Sequence, residues 1–376
     1  MKTVTLSALM LLIGLGGNLP LLSAAPLADR LERPSRLSPM AAQGPLTDIQ
    51  SLGSRSVMVG SSGHVLLLDA DGNIRQAQVP ADLLLTAVHF VDSQNGWAVG
   101  HDGVILHSGD GGETWSKQLD GRDISKLMLA WAESEVARLE RASAVTPDDE
   151  SVLAALDNAH FALDDAKAGS APGPSRPLLG LWFRDAREGW AVGAYGIIVH
   201  TRDGGQHWEY VSALDNPDRL HLNTVLGLAD GSLLVAGEGG RLHRSNDNGL
   251  HWLPAEQLTD ASLYKLLALA DGKLIALGFG GTLLASQDTG GSWKSIPLPV
   301  RVGLYGGTQL ADSSVLLAGQ GGVLMISSDG QHFRTWQAPH QAPLLGVSAI
   351  DSKQLALIGS AGLQVLPLAE IKEQLQ

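Results

Sequence analysis

Aspartates in one recurring phrase are the first residues of this sequence that suggest acid–base chemistry. The phrase is Ser/Thr-x-Asp-x-Gly-x-x-Trp, and its Asp and Trp positions are Asp110 and Trp115, Asp203 and Trp208, Asp247 and Trp252, and Asp288 and Trp293, with a shortened copy at Asp329. A catalytic acid works from one pocket, whereas these carboxylates recur once per repeat. Asp also accepts hydrogen bonds from the backbone of its own turn, and Gly supplies the positive φ that such a turn needs. We therefore predict structural turn residues, each followed by a Trp that packs between neighbouring elements.

Other groups with catalytic or metal-binding potential stand alone in the sequence. Glu238 is the most prominent lone carboxylate, since its Gly-rich turn 237–240 is placed to reach a central channel. Glycoside hydrolysis, however, usually needs a second carboxylate. His107, His200 and His243 recur at nearly the same repeat position, and the chain has no His-Glu-x-x-His phrase. We interpret them as strand residues rather than metal ligands, so the sequence predicts no catalytic residue, no metal and no cofactor.

The elements that carry these groups form a sevenfold repeat. A short apolar run that ends in Gly marks each copy, at Gly60, Gly100, Gly193, Gly237, Gly278, Gly319 and Gly359. The spacing is about 40 residues, apart from one gap more than twice as long, and this is typical of four-stranded propeller blades. A single blade cannot bury both of its faces, so the ring must close. We predict an all-β, seven-bladed β-propeller with four-stranded blades over residues 45–366.

The two ends of the propeller are expected to meet in its last blade. The seventh repeat contains only three predicted strands and is followed by a tail at 367–376. An N-terminal segment at 26–44 precedes the first repeat and includes Arg36–Gln43. This stretch is the natural candidate for the missing fourth strand, which would remove an exposed sheet edge.

The long gap in the repeat contains an insertion at 121–176 with a different, helical pattern. Apolar residues fall on one side of two predicted helices, 123–141 and 148–167, between blades two and three. Two interpretations stay open for this α-helical hairpin. Its apolar face packs internally or on the rim of the propeller, or some of it, especially Met128 and Trp131, docks a partner, as insertions in repeat rings often do.

Composition and the first residues restrict the compartment and the class of partner. The formal net charge is −13, which argues against nucleic acid as a partner, and the absence of Cys excludes disulfides and thiolate chemistry. Residues 1–25 combine one Lys, an apolar run and small residues at the end, which is typical of a signal peptide. The alternative is an uncleaved anchor, which the glycines and Pro20 within the run disfavour. No later segment is predicted to enter a membrane, so we expect a periplasmic or secreted protein.

Longer phrases carry a resemblance to a known family. The phrase FRDAREGWAVG at 183–193 runs into TRDGGQHW at 201–208, and FVDSQNGW at 90–97 repeats its beginning. In these phrases the chain resembles the Asp-box (BNR-type) repeat propellers, and within them the photosystem II stability/assembly factor family and its non-photosynthetic bacterial relatives. The resemblance implies an exported, non-enzymatic seven-bladed ring that helps to build a membrane protein complex. Some relatives occur alongside transporters of the resistance-nodulation-division type.

The photosynthetic members of this family present a basic patch to their client. Arginines of blades three and four are candidates for such a patch here, namely Arg184, Arg187, Arg202, Arg241 and Arg244. The competing interpretation is that they are scattered residues that solubilise the surface.

Two functional hypotheses follow from the sequence. The first is an exported, non-catalytic assembly factor or binding scaffold for a membrane protein complex of the cell envelope, with a transporter as one candidate client. The second is a glycan-binding or sialidase-like Asp-box propeller. Sialidases also need three arginines around a carboxylate and a Tyr–Glu pair, and no Phe/Tyr-Arg-Ile-Pro phrase is present near the start.

Overall fold

Seven antiparallel sheets follow one another along the chain in the computed structural model. The structure describes residues 29–169 and 176–374, so the predicted signal peptide at 1–25 lies outside the described residues. Six sheets have four strands and the last has three, and each sheet is formed by strands that are consecutive in sequence. The predicted seven-bladed propeller is confirmed.

The first four blades contain strands β1 to β16. Their bounds are β1 Leu46–Ser51, β2 Arg55–Gly60, β3 Val65–Asp69, β4 Ile74–Gln76, β5 Leu85–Phe90, β6 Gly96–Gly100, β7 Ile105–Ser108, β8 Ser116–Leu119, β9 Leu178–Phe183, β10 Gly189–Gly193, β11 Ile198–Thr201, β12 Glu209–Tyr210, β13 Leu222–Gly227, β14 Leu233–Gly237, β15 Leu242–Ser245 and β16 Leu253–Pro254.

The last three blades contain strands β17 to β27. Their bounds are β17 Leu263–Ala268, β18 Leu274–Gly278, β19 Leu283–Ser286, β20 Lys294–Ser295, β21 Leu304–Gln309, β22 Val315–Gly319, β23 Val323–Ser327, β24 Arg334–Gln337, β25 Leu344–Ala349, β26 Gln354–Gly359 and β27 Gly362–Pro367. Three helices complete the described chain: α1 Gly121–Val145, α2 Glu150–Gly169 and α3 Leu368–Gln374.

The first strand of each blade lies innermost and closes the ring. Each inner strand packs against that of the next blade, and β25 of the last blade packs against β1 of the first. Every inner strand begins with a buried Leu: Leu46, Leu85, Leu178, Leu222, Leu263, Leu304 and Leu344. The core therefore sits between neighbouring blades, as the ring-closure argument requires.

The last blade does not acquire the expected fourth strand, so that prediction for Arg36–Gln43 is wrong. The segment ends in a short 3-10 turn, Ala41–Gln43, that packs beside β27. Its backbone is committed to the first blade instead: the Ser38 N–H donates to the Gln76 side chain (2.9 Å), and Gln76 Nε2 donates to the Arg36 carbonyl (2.9 Å). Among the described residues, the sheet of the last blade therefore ends with β27.

The loops divide the ring into two faces. The box face carries the Asp-phrase turns between the third and fourth strands and the turns between the first and second strands. The insertion face carries the short 3-10 turns after each marker Gly, the connections between blades, and the helical insertion. The place of a turn residue within its repeat therefore determines on which of the two faces its side chain lies.

The helical hairpin packs onto the insertion face at blades two and three. Ile124, Met128 and Ala132 of α1 are buried in one cluster with Trp97 and Leu178 of the ring. A separate apolar cluster joins α1 to α2. The sequence left two roles open for the apolar face of the hairpin, packing on the ring or binding a partner. The described structure shows that the inner side of α1 packs on the propeller rim.

Asp120 fixes the start of α1. Its carboxylate accepts a hydrogen bond from the Arg122 N–H (2.9 Å) and ion-pairs with Lys117 (3.1 Å) and with the Arg122 guanidinium (2.6 Å). Although burial alone would raise it, these hydrogen bonds lower the pKa of Asp120 to about 2. Glu32 binds the same Lys117 and Arg122, both at 2.7 Å, so the N-terminal segment is tied to the base of the insertion.

Candidate functional site

The recurring aspartates are occupied within their own turns. In the second blade, Asp110 Oδ1 accepts the Thr114 N–H (3.0 Å) and the Ser108 hydroxyl (2.8 Å), and the Gly112 N–H donates to Ser108 Oγ (2.9 Å). The same bonds hold the turns of blades three, four and five. The Trp that ends each phrase is buried against the preceding blade, as Trp115, Trp208, Trp252 and Trp293 show. This arrangement leaves the carboxylates no geometry suited to catalysis.

Hydrogen bonding lowers the pKa values of these carboxylates. The backbone N–H and imidazole of His207 lower the pKa of Asp203 to about 2, and those of His251 do the same for Asp247. Ser292 lowers the pKa of Asp288 to about 2 through its N–H and hydroxyl. The ionised form is therefore the one that the folded turn prefers.

Acid is expected to weaken the turns in a defined window. An unfolded Asp has a pKa of about 3.9, so the stabilisation from Asp247 is complete above about pH 4 and is lost as the pH falls through about 2. Urea unfolding at a series of pH values from 6 down to 2 would give the free energy of unfolding of the wild type and of Asp247→Ala. The difference between the two proteins should stay constant down to about pH 4 and then shrink. A difference unchanged down to pH 2 would contradict this origin. Asp148→Ala, in the exposed loop between the helices, should show no such difference.

The candidate arginines do not form one patch. Arg184, Arg187, Arg202 and Arg244 lie on the box face, whereas Arg241 follows the 3-10 turn of blade four on the insertion face. Three of them bind nearby carboxylates: Arg184 with Glu188, Arg202 with Glu209 (2.9 Å) and Arg244 with Asp230 (3.1 Å). Of the two interpretations left open by the sequence, a single patch of all five is excluded, because Arg241 lies on the face opposite to the other four.

Met128 and Trp131 face the ring and not a free surface. Met128 is 9% exposed, and its sulfur lies 3.6 Å from an Arg176 guanidinium nitrogen. The Trp131 ring packs edge-on against Tyr210, with the ring centres 5.4 Å apart. These two residues attach the insertion to blade three. The exposed Phe161 of α2 remains accessible, although the Arg219 guanidinium lies over one side of its ring, 4.8 Å from the ring centre.

The remaining chemical candidates also have structural partners. Glu238 accepts the His221 N–H (3.0 Å) in the 3-10 turn of blade four and does not line the central channel. His107 lies against Trp97 and His200 stacks on Trp190, with ring centres 4.8 and 4.5 Å apart. Across residues 29–169 and 176–374, no group of three or more His, Asp or Glu is arranged to hold a metal ion.

The central channel, of about 310 Å³, contains a feature that sequence reasoning missed. Lys265 Nζ lies 2.9 Å from Asp48 Oδ1, and these residues come from blades three places apart, the largest separation in a ring of seven. Asp48 Oδ2 also accepts the Val88 N–H (3.1 Å). The salt bridge thus spans the channel, and two residues 217 positions apart gave no sequence signal.

His89, near the end of β5, lines the same channel toward the box face. The Phe183 N–H donates to His89 Nδ1 (3.2 Å), which requires that nitrogen to be unprotonated. Burial, with a further contribution from the Lys265 charge, lowers the pKa of His89 to about 4. His89 is therefore a neutral acceptor near pH 7, and Asp48 is the only carboxylate among the described residues that line the channel.

A second cavity, of about 560 Å³, opens between blades five and six. It lies beside the shortened Asp phrase at 327–333, in which one residue is missing and Phe333 replaces the usual Trp. The sequence shows that this phrase is irregular, but it does not show that a cavity opens beside it.

Comparison with known proteins adds to this geometry. A family model described as "Photosynthesis system II assembly factor YCF48" matches residues 175–343. The "Photosystem II assembly lipoprotein Ycf48" of Synechococcus sp. (strain CC9902) is 35% identical over 80 residues, which are 21% of this chain and 22% of that protein. The match thus spans about a fifth of the length of that curated relative.

Solved structures share the fold at low identity. YCF48 bound to D1 peptide is 18% identical with a TM-score of 0.59, covering 86% of this chain and 93% of that one. YCF48 from Cyanidioschyzon merolae is 17% identical with a TM-score of 0.58, covering 90% and 99%. A catalytically inactive virginiamycin B lyase from Staphylococcus aureus, with quinupristin, is 10% identical with a TM-score of 0.63, covering 89% and 97%.

Fold and turns together define this chain as a BNR-type β-propeller, built on Asp-phrase turns. Within that class it resembles the photosystem II assembly factor family, to which the matched YCF48 proteins belong. Among the helices of the described residues, none has the length and apolarity required to cross a membrane.

Proposed function

We propose that this chain is an exported, non-catalytic accessory factor that binds a membrane protein of the cell envelope and aids assembly of its complex. The observation that carries the proposal is the match of the assembly-factor model to residues 175–343. The likeness to a propeller solved with a bound peptide supports a protein as the partner. A transporter of the resistance-nodulation-division type is one candidate client.

The chemistry of the ring supports a binding role over hydrolysis. The channel carboxylate Asp48 is held by Lys265, and glycoside hydrolysis needs two carboxylates across a substrate. The aspartates of the repeated phrase are held by their own turns. What the ring offers a partner is its outer surface, in the form of loops on two faces and the inserted helices.

Export is part of the proposal. The pattern of residues 1–25 is typical of a secretory leader, and an envelope client requires the ring on the outer side of the inner membrane. Mass spectrometry of the chain purified from its own cells would give its first residue. A mature chain that begins near Ala25 or Pro26 would support export with cleavage, whereas an intact leader on a membrane fraction would indicate an anchor.

Single cysteines provide a direct test of partner binding, because the chain has none of its own. One cysteine would replace Arg187 on the box face, Phe279 on the insertion face or Phe161 on the inserted hairpin. All three side chains are exposed. Each variant is expressed in its own cells and treated with a thiol-directed cross-linker. The closer its cysteine lies to the contact, the more efficiently the variant should be captured with membrane proteins.

We expect one position to capture a defined membrane complex while the other two do not, and that complex to fall in abundance when the gene is deleted. Capture of no membrane protein from any position would overturn the proposal. Binding of the purified chain to a glycan array in that case would favour the glycan-binding alternative.

A further inference from the structure

At one turn, the gap between blades five and six differs from the gaps that precede blades two to five. In blades two to five, the Gly that follows the recurring Asp packs against the preceding blade. A Cβ on Gly112, Gly249 or Gly290 would lie 3.0–3.2 Å from Leu67, Trp190 or Leu234. At the matching Gly330 of blade six, a Cβ would have no atom within 4 Å. The shortened turn therefore leaves blade five uncovered.

The uncovered space is a groove that crosses the face of blade five. Residues from the turn after β17 and from β18, β19 and the outer β20 line it on one side, and β22 with the shortened turn lines the other. Neighbouring strands are about 4.8 Å apart, so four strands span about 14 Å, the length of about four extended residues. The groove thus has the dimensions of a short extended peptide.

The floor and the mouth of the groove differ in chemistry. Leu269, Ile275 and Val315 form an apolar floor, and the half-buried Ile296 continues it toward the rim. The mouth carries three carboxylates: Asp271, Asp288 and Asp329. Lys273 is neutralised by Asp271 at 2.7 Å, which leaves Lys294 as the remaining amine among the lining residues.

The charges at the mouth favour one kind of occupant. Asp288 and Asp329 flank the groove from its two sides, and their turns stabilise the ionised form. His332 Nδ1 lies 2.7 Å from Asp329 Oδ2, so a cation of the occupant joins this pair rather than meeting a free carboxylate. The whole chain has a formal net charge of −13, which attracts basic partners at long range. An aliphatic side chain fits the floor, and cationic neighbours fit the two carboxylates.

We propose that this groove binds an extended segment of the partner protein in which an aliphatic residue is flanked by Arg or Lys. The aliphatic side chain inserts over Ile275 and Val315, and the cations pair with Asp288 and Asp329. This inference rests on the proposed function, because it gives that partner a docking site, and it can be tested without knowledge of the partner.

The probe is a dye-labelled five-residue peptide with a central leucine between two arginines and a glycine at each end. Two further peptides replace the arginines by glutamates or the leucine by serine. Fluorescence anisotropy should give a dissociation constant for the arginine–leucine peptide at least about tenfold lower than for either of the others. Equal binding of the serine peptide would show simple attraction to an acidic protein and would overturn the proposal.

Two matched variants locate the binding. Ser328→Trp fills the groove from the exposed second position of the shortened turn, and Asn246→Trp places the same ring at the equivalent exposed position in blade four. Ser328→Trp should weaken binding at least about tenfold, while Asn246→Trp should change it less than about twofold. Equal affinity in Ser328→Trp would overturn the proposal.

A second measurement keeps the test valid if the tryptophan variant fails to fold. Ser328→Cys and Asn246→Cys, each labelled with an environment-sensitive dye, should respond differently to the peptide, with an emission shift only at position 328. No shift at that position would contradict the groove as the site.

The same variant separates this inference from the proposed function. If Ser328→Trp still captures the membrane complex in cells, the groove is excluded and the accessory role stands. If the peptide binds the groove but the full chain captures no membrane protein, the accessory role fails and the site remains.

Discussion

Gly237→Ala is expected to destabilise the ring strongly, because Gly237 lies where the backbone of its own blade passes too close for a Cβ. A Cβ at this position would overlap the carbonyl oxygen of His221 and approach Leu222 Cα to 3.0 Å. Both atoms belong to the backbone that begins the inner strand of the same blade, so they cannot rotate away. Overpacking of this kind costs about 3 kcal/mol, and urea unfolding would measure it.

Gly109→Ala is the matched control for this substitution. Gly109 also lies in a repeat turn, but a Cβ there would meet only His107, at 3.8 Å. We expect a change below about 0.5 kcal/mol. Similar unfolding midpoints for the two variants would contradict this argument. They would mean that the inner strand can shift to accommodate a Cβ at Gly237.

Breaking the salt bridge across the channel should give the second large effect. Asp48 is 13% exposed and Lys265 is 32% exposed, so the pair is partly shielded from water. Asp48→Ala also leaves the Val88 N–H without its acceptor. We expect a loss of about 3 kcal/mol for Asp48→Ala and a smaller loss for Lys265→Ala, whose partner keeps one hydrogen bond.

A double-mutant cycle isolates the interaction itself. Combining Asp48→Ala with Lys265→Ala should give a coupling energy of about 1–2 kcal/mol that persists in 1 M salt. The exposed pair Asp271–Lys273, with the same chemistry at 2.7 Å, should couple by less than about 0.5 kcal/mol. Equal coupling in the two pairs would mean that water enters the channel freely and that the cross-channel contact does not stiffen the ring.

The structural part of the candidate site was largely predictable. The role of Asp203 as a turn residue follows from its recurrence, because one physical cause must explain every copy of a repeated phrase. The contacts of surface side chains were less predictable, since some of their hydrogen bonds join different blades. Arg184, for example, binds Asn248 in the turn of the next blade (2.8 Å), and no local pattern announces that contact.

Packing of the insertion was only half predictable. Helical spacing in α1 identified an apolar side that contains Met128, but spacing cannot distinguish a side that packs on its own ring from one that binds a partner. The contacts with the ring decide this question: Met128 is buried against it, and Trp131 packs on Tyr210. The helix also begins at Gly121 rather than at 123, because the buried Asp120 provides its cap.

By itself, the sequence determined the number of blades, their internal turns and the place of the insertion. These features depend on local patterns of apolar residues, Gly and Asp, and the repeat multiplies each weak signal. The tertiary structure alone decided how the ring closes, which arginines share a face, what spans the channel and where the groove opens. Each of these depends on contacts between blades, whose energy comes from residues brought together only when the ring has formed.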